Sequence, residues 1–392
     1  MVFTKLITCS GPVNIAVIKY WGKRNEELIL PSNSSLSATL NQKELKTVTS
    51  VMASESFSED RIWLNKREEV ITNPRLQIVL KAIRERYKQR KGCHDPLLNC
   101  KLHICSQNNF PTAAGLASSA SGYATLVFAM GKLFDIPVGE LSQIARLGSG
   151  SACRSMFGGW VKWEMGEAED GRDCKAVQTH DECHWPDIRL LVLVVSDTPK
   201  ETSSTSGMAS TVKTSELFQH RVNHVVTKRL GLIEEAITQQ NFPVFAQITM
   251  QESNQFHAVC LDTYPPIFYM NDVSKSIVDL VTQYNAFSRE IKAAYTFDAG
   301  PNAVIYTLKE SVAEITSLLL HFFPPSTQEG FLKGFSFQID SDQGKLEALK
   351  AKVNVPRKVD ALRYILLTSV GDGPRVLSEQ EHLLSPVSGL PK

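Results

Sequence analysis

The hydrophobic and polar positions of this chain follow two different periods. Residues 99–106 (NCKLHICS) and 159–165 (GWVKWEM) alternate at every second position, which is typical of half-buried strands. Residues 188–196 (IRLLVLVVS) and 302–308 (NAVIYTL) are almost continuously apolar, which indicates buried strands. Helical spacing of apolar side chains occurs at 76–90, 115–134, 211–239 and 310–320. The pattern predicts an α+β fold in which mixed sheets pack with helices.

The length of the chain predicts two domains. Its 392 residues, 43% of them hydrophobic and 21% charged, can bury a sizeable core. The polar segment 196–207 (SDTPKETSSTSG) follows the most apolar predicted strand and is a natural place for a boundary. We therefore predict an N-terminal domain at 1–190 and a C-terminal domain at 191–392.

The charge balance gives no argument for a nucleic-acid or membrane partner. Lys plus Arg number 42 against 41 Asp plus Glu. A basic cluster at residues 84–91 lies on a predicted helix with an apolar opposite side, so we interpret it as a solvated face. The aliphatic run at 190–195 is far shorter than the roughly 20 residues of a membrane-spanning helix. We expect small-molecule partners only.

The N-terminus and the cysteines predict a cytoplasmic protein. Residues 1–17 contain neither a basic segment before a long apolar one nor a small-residue cleavage site. The eight cysteines are scattered without a C-x-x-C pair, which favours reduced thiols. His220 and His224 have a zinc-helix spacing but lack the accompanying Glu, so we set a zinc site there aside. No single carboxylate stands out as a metal ligand, so no metal ligand is assigned.

The segment 108–130 (NNFPTAAGLASSASGYATLVFAM) has unusually little side-chain bulk at its centre. Small residues let backbone N–H groups approach a ligand closely, and Ser118 and Ser119 stand where a helix is predicted to begin. A helix N-terminus carries unpaired N–H groups and a positive dipole end, which both favour a phosphate. Tight helix packing through small residues is the alternative, since neither of the common glycine-rich nucleotide motifs is present.

Segment 111–121 (PTAAGLASSAS) resembles the phosphate-binding motif of the GHMP kinase superfamily, which includes galactokinase, homoserine kinase, mevalonate kinase and phosphomevalonate kinase. Five further segments, spread over nearly the whole chain, resemble the mevalonate diphosphate decarboxylase family within it. They are PVNIAVIKYWGKRN (12–25), NSSLS (33–37), GSGSACRSMFGG (148–159), ESNQFHAVCLDTYPP (252–266) and YTFDAGPNAV (295–304).

The resemblance implies a GHMP-kinase-like two-domain fold, an ATP-binding N-terminal domain and an active site in the cleft between the domains. It implies ATP-dependent decarboxylation of (R)-5-diphosphomevalonate to isopentenyl diphosphate, ADP, phosphate and carbon dioxide, in the mevalonate pathway of isoprenoid and sterol synthesis. The 3-hydroxyl would be phosphorylated first, and phosphate and the carboxylate would then leave. ATP and Mg²⁺ are the implied cofactors, and a homodimer is the implied assembly.

The resemblance also implies roles for individual residues. ATP phosphates would be held by Asn108, Gly115, Ala117, Ser118 and Ser119. The diphosphate tail would meet Tyr20 and Lys23, Ser204 would contact the diphosphate or the catalytic loop, and Ser149 and Ser151 would contact substrate or phosphate. Arg154 would bind the substrate carboxylate, with Asn14 orienting it and Asp298 acting as the catalytic carboxylate at the 3-hydroxyl.

Residue chemistry supports these roles and leaves alternatives open. Lys19, Tyr20 and Lys23 put two cations and a phenol within five residues, enough to clamp a diphosphate, although snorkelling lysines on an amphipathic segment are the alternative. A planar guanidinium suits a carboxylate, and a structural salt bridge is the alternative for Arg154. Asp298 precedes Gly300 and Pro301, so it could either act as a base or cap its own turn.

Some positions depart from the common family pattern without removing a proposed catalytic group. They are Gly11, Ser32, Ser121 and Leu147. Gly11 could loosen the strand that leads to Asn14. Two other functions remain: a small-molecule kinase of the same superfamily that stops after phosphorylation, and a non-catalytic nucleotide-binding scaffold.

Overall fold

The computed structural model describes residues 3–110, 118–195, 200–336 and 343–392. Its strands are β1 (Thr4–Pro12), β2 (Asn14–Ile18), β3 (Lys23–Asn25), β4 (Leu30–Pro31), β5 (Ser35–Thr39), β6 (Lys46–Ser54), β7 (Arg61–Leu64), β8 (Arg67–Glu69), β9 (Lys101–Asn108), β10 (Trp160–Trp163), β11 (Ala176–His180), β12 (Ile188–Val194), β13 (Ala293–Phe297), β14 (Ala303–Leu308), β15 (Leu332–Gly334), β16 (Tyr364–Thr368) and β17 (Arg375–Val376). Its α-helices are α1 (Pro74–Lys91), α2 (Ser118–Leu133), α3 (Val138–Gly148), α4 (Ser204–Thr214), α5 (Glu216–His220), α6 (Val226–Thr238), α7 (Phe242–Asp262), α8 (Asp272–Ser288), α9 (Val312–Phe322) and α10 (Gln343–Lys352).

Three larger sheets and a short two-stranded one organise the described ranges. The six-stranded sheet has the order β17-β1-β6-β9-β7-β8, and the four-stranded sheet has the order β11-β10-β5-β2. The five-stranded sheet, in the order β13-β14-β12-β16-β15, belongs to the second half of the chain. The architecture is therefore α+β with mixed sheets, as predicted.

The alternation of β12 explains how the second half is layered. Leu190 and Val192 face a core that also contains residues of the four-stranded sheet, whereas Leu191 and Leu193 face a core built with α8 and α9. Successive side chains of a strand point to opposite faces, and every residue of β12 except Arg189 is buried. One apolar strand thereby joins two cores.

The two halves of the chain share a continuous core. Val13 and Leu36 from β2, β5 and their flanks pack in one cluster with Phe245 of α7. Tyr306 on β14 adds a hydrogen bond from its hydroxyl to the carbonyl of Ile15, at 3.3 Å. This shared packing fixes the walls of the cleft that lies at the ends of β2 and β13.

The division at residue 190 stays a prediction. That position lies inside β12, and β17 pairs with β1 of the first sheet. Leu384 packs with Met52 and Trp63, so the last residues of the chain also lie on the first sheet.

Most predicted elements are confirmed, with ends that shift by a few residues. The four predicted strands correspond to β9, β10, β12 and β14, and three of the predicted helices to α1, α2 and α9. The helical periodicity predicted at 211–239 is confirmed, although the region is divided among several helices. Helix α4 already starts at Ser204, Ser215 caps α5 by accepting from the N–H of Phe218, and a π-helical turn at Arg221–Val225 precedes α6.

All eight cysteine thiols are free, and six of them are buried.

The basic cluster of α1 forms ion pairs with acidic side chains. Arg84 pairs with Asp60, and Arg86 and Arg90 both pair with Glu140. Over the described ranges, no helix combines the length and the apolar character that crossing a membrane requires.

Candidate active site

A polar pocket of about 410 Å³ lies where β2 and β13 end and where α2 and α4 begin. Ten of the predicted site residues line it: Asn14, Lys19, Tyr20, Lys23, Ser119, Ser149, Ser151, Arg154, Ser204 and Asp298. Asn108 instead lines a neighbouring pocket. Gly115 and Ala117 lie outside the described residues, as does the side chain of Ser118.

Lys19 and Asp298 form an ion pair inside this pocket. The Lys19 Nζ to Asp298 Oδ1 distance is 2.6 Å, and the two side chains are 3% and 34% exposed. The Asp298 carbonyl accepts from the N–H of Gly300 at 2.7 Å, so the predicted turn forms through the backbone while the carboxylate faces the pocket. Sequence reasoning did not predict this pair.

Arg154 is held by neutral groups, not by a carboxylate. Its Nε donates to Ser37 Oγ at 3.1 Å and to Asn14 Oδ1 at 3.3 Å, and its Nη1 donates to Ser35 Oγ. Burial lowers the pKa of Arg154, although a guanidinium stays protonated at any working pH. Among the described residues none accepts from Nη2, so this cation remains available for an anion in the pocket.

Asn14 orients Arg154 from a fixed position. Its amide nitrogen donates to Ser155 Oγ at 2.7 Å and to the carbonyl of Ser151 at 3.1 Å. These bonds leave Asn14 Oδ1 as the acceptor that faces Arg154. The structure therefore places Asn14 beside Arg154, as the family resemblance implies.

Tyr20 and Lys23 present a phenol and an ammonium to the pocket. The ring of Tyr20 packs edge-on against Trp163 at 4.6 Å between centroids, and its hydroxyl has no hydrogen-bond partner among the described residues. Burial raises the pKa of Tyr20 far above its ordinary value, so the phenol stays a neutral donor. Lys23 is 6% exposed and pairs with Glu26.

The serines lie where two chain segments meet. Ser119 Oγ on α2 lies 3.4 Å from Ser149 Oγ, and Ser151 follows in the 3-10 helix that carries Arg154. Gly150 lets the ring of Tyr20 pack close to the backbone, because a Cβ at this position would lie 2.8 Å from that ring.

Two cations of the pocket were missed by the sequence analysis. Lys200 Nζ donates to Ser204 Oγ and to the carbonyl of Ala299, both at 2.9 Å. Burial lowers the pKa of Lys200, and the negative charge of Asp298 opposes this. Arg75, at the start of α1, donates to Thr205 Oγ1 at 3.1 Å. Lys200 could have been noticed in the sequence as the single Lys of the polar segment 196–207. No feature of the sequence marked Arg75 as a site residue.

A second, more apolar pocket of about 980 Å³ adjoins the first. It is lined by apolar side chains such as Ile62, Leu76 and Tyr123, and by Asn108 at the end of β9. Arg75 and Ser119 line both pockets, so the two cavities meet at a cation and a hydroxyl. A molecule with a flat apolar end and an anionic end fits this pair of cavities.

The described residues offer no group of three His, Cys, Asp or Glu side chains that could hold a metal. The pocket nevertheless contains hard oxygen donors, namely the Asp298 carboxylate and the Ser119 and Ser149 hydroxyls. Such a set suits a divalent ion that takes most of its ligands from phosphate oxygens and water.

Two family models match the chain. The Diphosphomevalonate decarboxylase-like N-terminal domain matches residues 11–176, and the Mevalonate 5-diphosphate decarboxylase C-terminal domain matches residues 190–377. The human diphosphomevalonate decarboxylase is 51% identical over 393 residues, which cover 98% of this chain and 97% of the human one.

Solved structures agree with the family models. A crystal structure of mevalonate 5-diphosphate decarboxylase superposes with a TM-score of 0.85 at 45% identity, over 98% of this chain and 100% of the other. A structure described as MDDEF in complex with MVAPP, AMPPCP and magnesium has a TM-score of 0.74 at 29% identity, over 96% and 100%.

Proposed function

The chain belongs to the mevalonate diphosphate decarboxylase family, and we propose that the pocket around Asp298, Lys19 and Arg154 is its active site. The chain is an enzyme that decarboxylates 5-diphosphomevalonate to isopentenyl diphosphate with consumption of ATP. The main support for this active site is that three charged groups from distant parts of the chain lie in one cleft. Arg154 suits the carboxylate of the substrate, Asp298 suits its 3-hydroxyl, and Lys19 would hold Asp298 in place.

The carboxylate of the substrate would pair with Arg154. Its Nη2 is the guanidinium nitrogen without a described acceptor, while Asn14, Ser35 and Ser37 hold the other two. A guanidinium binds a carboxylate through parallel hydrogen bonds with a fixed direction. This pairing would hold the C–C bond that breaks in a defined orientation.

The diphosphate tail would lie among the remaining donors of the pocket. Tyr20 offers an unpartnered hydroxyl, and Lys23 and Lys200 offer ammonium groups. Ser204 and Arg75 stand at the same side, where α4 begins. Hydrogen bonds from charged donors to phosphate are stronger than those between neutral groups, so this cluster favours a tail with several negative charges.

The Asp298 carboxylate would accept the proton of the 3-hydroxyl as that oxygen attacks the γ-phosphoryl group of ATP. Lys19 holds the carboxylate in position and places a positive charge beside it. The C–O bond to the new phosphate then breaks, carbon dioxide leaves from the carboxylate, and the electron pair of the C–C bond forms the alkene. Arg154 keeps the carboxylate in place until that step.

The nucleotide would occupy both cavities. Its base and ribose fit the apolar pocket of about 980 Å³, and its phosphates would reach the shared edge at Ser119 and Arg75. Mg²⁺, when bound, would neutralise phosphate charge during transfer. Ser119, Ser149 and Asp298 are oxygen donors of the pocket that could hold it. Ser119 lies in the first turn of α2, so the positive end of that helix is at the same place.

We also propose a homodimer. Leu217, Leu261, Tyr264 and Phe268 are exposed apolar residues of one region, since Leu217 N–H donates to Asp262 and Tyr264 N–H to Thr214. An exposed apolar patch commonly marks an interface. Light scattering of the purified chain should give twice the chain mass, and Phe268→Asp should shift the equilibrium towards monomer. A wild-type mass of one chain would refute the dimer.

We further propose that the enzyme works in the cytoplasm, a reducing compartment that suits its eight free thiols. A fluorescent fusion of the full chain should distribute diffusely through the cytoplasm of the source cell. Concentration in an organelle would overturn this proposal.

The test of the active site is a product balance. The purified chain is supplied with ATP, Mg²⁺ and carboxyl-labelled 5-diphosphomevalonate, and ADP and carbon dioxide are measured. We expect equal amounts of both products, and we expect Asp298→Asn to lower kcat by roughly 10²- to 10⁴-fold. The control Asp272→Asn, at an exposed carboxylate of α8, should keep wild-type turnover.

Other outcomes discriminate the alternatives. ADP without carbon dioxide would indicate a kinase that stops after phosphorylation, and ATP binding without turnover would indicate a scaffold. Wild-type kcat in Asp298→Asn would refute the assignment of the catalytic carboxylate.

A further inference from the structure

One turn of helix α7 contacts the backbone on both sides of the Lys19–Asp298 pair. Glu252 Oε1 accepts from the N–H of Lys19 at 3.0 Å. The next residue, Ser253, accepts through its Oγ from the N–H of Phe297, also at 3.0 Å. Phe297 directly precedes Asp298, so two consecutive side chains of one helix reach the two chain segments that carry the pair.

The peptide of Lys19 is held at its carbonyl as well. That oxygen accepts from Arg221 Nη2 and from Asn33 Nδ2, each at 3.0 Å. Arg221 also donates to Glu252 Oε1, so the group that binds the N–H of Lys19 is linked to the group that binds its carbonyl. The backbone of Lys19 is therefore fixed in two directions.

The buried charges of this cluster are poorly explained by stability. The side chains of Glu252 and Arg221 are fully buried, and Arg229 binds the second oxygen of Glu252. Burial opposes ionisation of Glu252, yet the adjacent Arg221 charge keeps its pKa below the ordinary value. A buried ion pair often contributes no more to stability than well-packed apolar residues do. Its clearer effect is to impose one geometry on the groups that it touches.

The local helix geometry points the same way. Arg221 opens the π-helical turn Arg221–Val225, and such turns occur frequently at functional sites. On α7, His257 lies one turn beyond Ser253, and its ring packs edge-on against the ring of Phe297 at 6.2 Å between centroids. Helix α7 thus holds the segment before Asp298 at two points.

We propose that Glu252 and Ser253 are positioning residues of the decarboxylation, which set the spacing between Lys19 Nζ and Asp298 Oδ1 by holding the backbone on each side. The proposal rests on the proposed roles of Lys19 and Asp298. A misplacement of about 1 Å at a reacting group can cost 10²-fold in rate. Neither residue lines the pocket, so each acts through the pair and not on the substrate.

Ser253→Ala is the primary test, because it removes one hydroxyl and leaves the buried charges intact. We expect kcat to fall by roughly tenfold while KM for both substrates stays within twofold, since binding groups are unaffected. The matched control is Thr249→Val on the same buried face of α7. Among the described residues, the Thr249 hydroxyl bonds only the carbonyl of Phe245 in its own helix, so this variant should keep wild-type kcat. An equal loss in both variants would show a merely structural effect and overturn the proposal.

A double-mutant cycle tests whether Ser253 acts through the pair. In a Lys19→Met background, Ser253→Ala should change the single-turnover rate constant by less than about twofold. The reason is that substitutions in groups that act as a unit do not have additive effects. A further tenfold loss would overturn the proposal. Glu252→Gln should behave like Ser253→Ala, and its unfolding midpoint is measured alongside because Arg221 loses its counter-charge. If that variant does not fold, the Ser253 cycle decides.

Failure of the underlying function would look different. If Lys19→Met and Asp298→Asn both kept wild-type kcat, the active-site assignment itself would be refuted, whatever Ser253→Ala did. If these two variants lost activity and Ser253→Ala matched the wild type, only the positioning proposal would be refuted.

Discussion

Lys19 Nζ contacts Asp298 Oδ1 at 2.6 Å although the two residues are 279 positions apart. Each residue directly follows a strand, since β2 ends at Ile18 and β13 ends at Phe297. The shared core between the halves of the chain brings these two strand ends together. The pair is therefore a product of domain packing and marks the place where the predicted site residues converge.

The first prediction concerns the ammonium of this pair. Lys19→Met should lower kcat on the order of 10²- to 10³-fold, because it removes a fixed positive charge beside the reacting groups. Lys19→Arg should recover part of the loss, since the charge returns with a different shape. Steady-state ADP release measures both. Equal kcat in the methionine variant and the wild type would contradict the role of Lys19.

The second prediction concerns the unpartnered phenol. Tyr20→Phe should raise KM for diphosphomevalonate by roughly tenfold or more, the usual cost of losing a hydrogen bond to a charged group. The unfolding midpoint should stay or rise slightly, because no described partner loses a bond. The control Tyr284→Phe removes a hydroxyl that donates to Glu314 at 2.8 Å, outside the pocket. The Tyr284→Phe variant should be less stable than the wild type and should have an unchanged KM. An unchanged KM in Tyr20→Phe and a raised KM in Tyr284→Phe would refute the role of the Tyr20 hydroxyl in substrate binding.

The third prediction separates the two buried arginines of the first half. Arg154→Lys should raise KM for the substrate by roughly 10- to 100-fold, because an ammonium cannot replace a guanidinium at a carboxylate. Arg146→Lys is the matched control, since Arg146 is equally buried but donates to the carbonyls of Gly171 and Cys174. It should destabilise the fold without changing KM. Comparable KM values in both variants would show that Arg154 is structural.

The fourth prediction concerns stability at low pH. Burial, with the charge of Lys19, lowers the pKa of His257 to about 3, whereas the nearby Asp298 opposes the shift. The imidazole is neutral when folded and protonates near pH 6.5 when unfolded, so its contribution is present above pH 6.5 and is lost as pH falls towards 3. Between pH 7 and pH 5 the loss should be about 2 kcal/mol.

Urea unfolding at pH 7 and pH 5 measures this effect. The wild type should lose about 2 kcal/mol more than His257→Gln, whose side chain does not titrate. The other histidines act in both proteins and cancel in the difference. Identical losses would show that His257 is not the titrating group.

The fifth prediction concerns two departures from the family pattern that touch each other. Ser121 Oγ donates to the carbonyl of Gly11 at 3.0 Å, and a Cβ on Gly11 would lie 2.1 Å from Thr125 Oγ1. Gly11→Ala should therefore lower the free energy of unfolding by about 1–3 kcal/mol through overpacking. Adding Thr125→Ala should restore part of it, which equilibrium unfolding of the two single variants and the double variant measures. Additive losses would contradict the clash.

Periodicity predicted the strands well because they are buried and apolar. Residues 188–196 were predicted as one buried strand, and the structure has strand β12 at Ile188–Val194. The helical periodicity at 211–239 was confirmed, but it did not indicate where the region divides into separate helices, which has a tertiary cause. Arg221 is drawn to Glu252 and to the carbonyl of Lys19, and the chain adopts a π-helical turn there that no local pattern announces.

The sequence by itself determined the classes of secondary structure and most of the polar side chains that line the pocket. Those side chains were predicted because they lie in short segments that resemble the family's motifs, such as Tyr20 and Lys23 in 12–25 or Ser149 and Arg154 in 148–159. Only the tertiary structure decided the Lys19–Asp298 pair, the contact of Arg75 with Thr205 and the hold of α7 on both strand ends. These contacts join residues far apart in sequence, and they depend on how buried strands and helices pack, which periodicity within a segment does not encode.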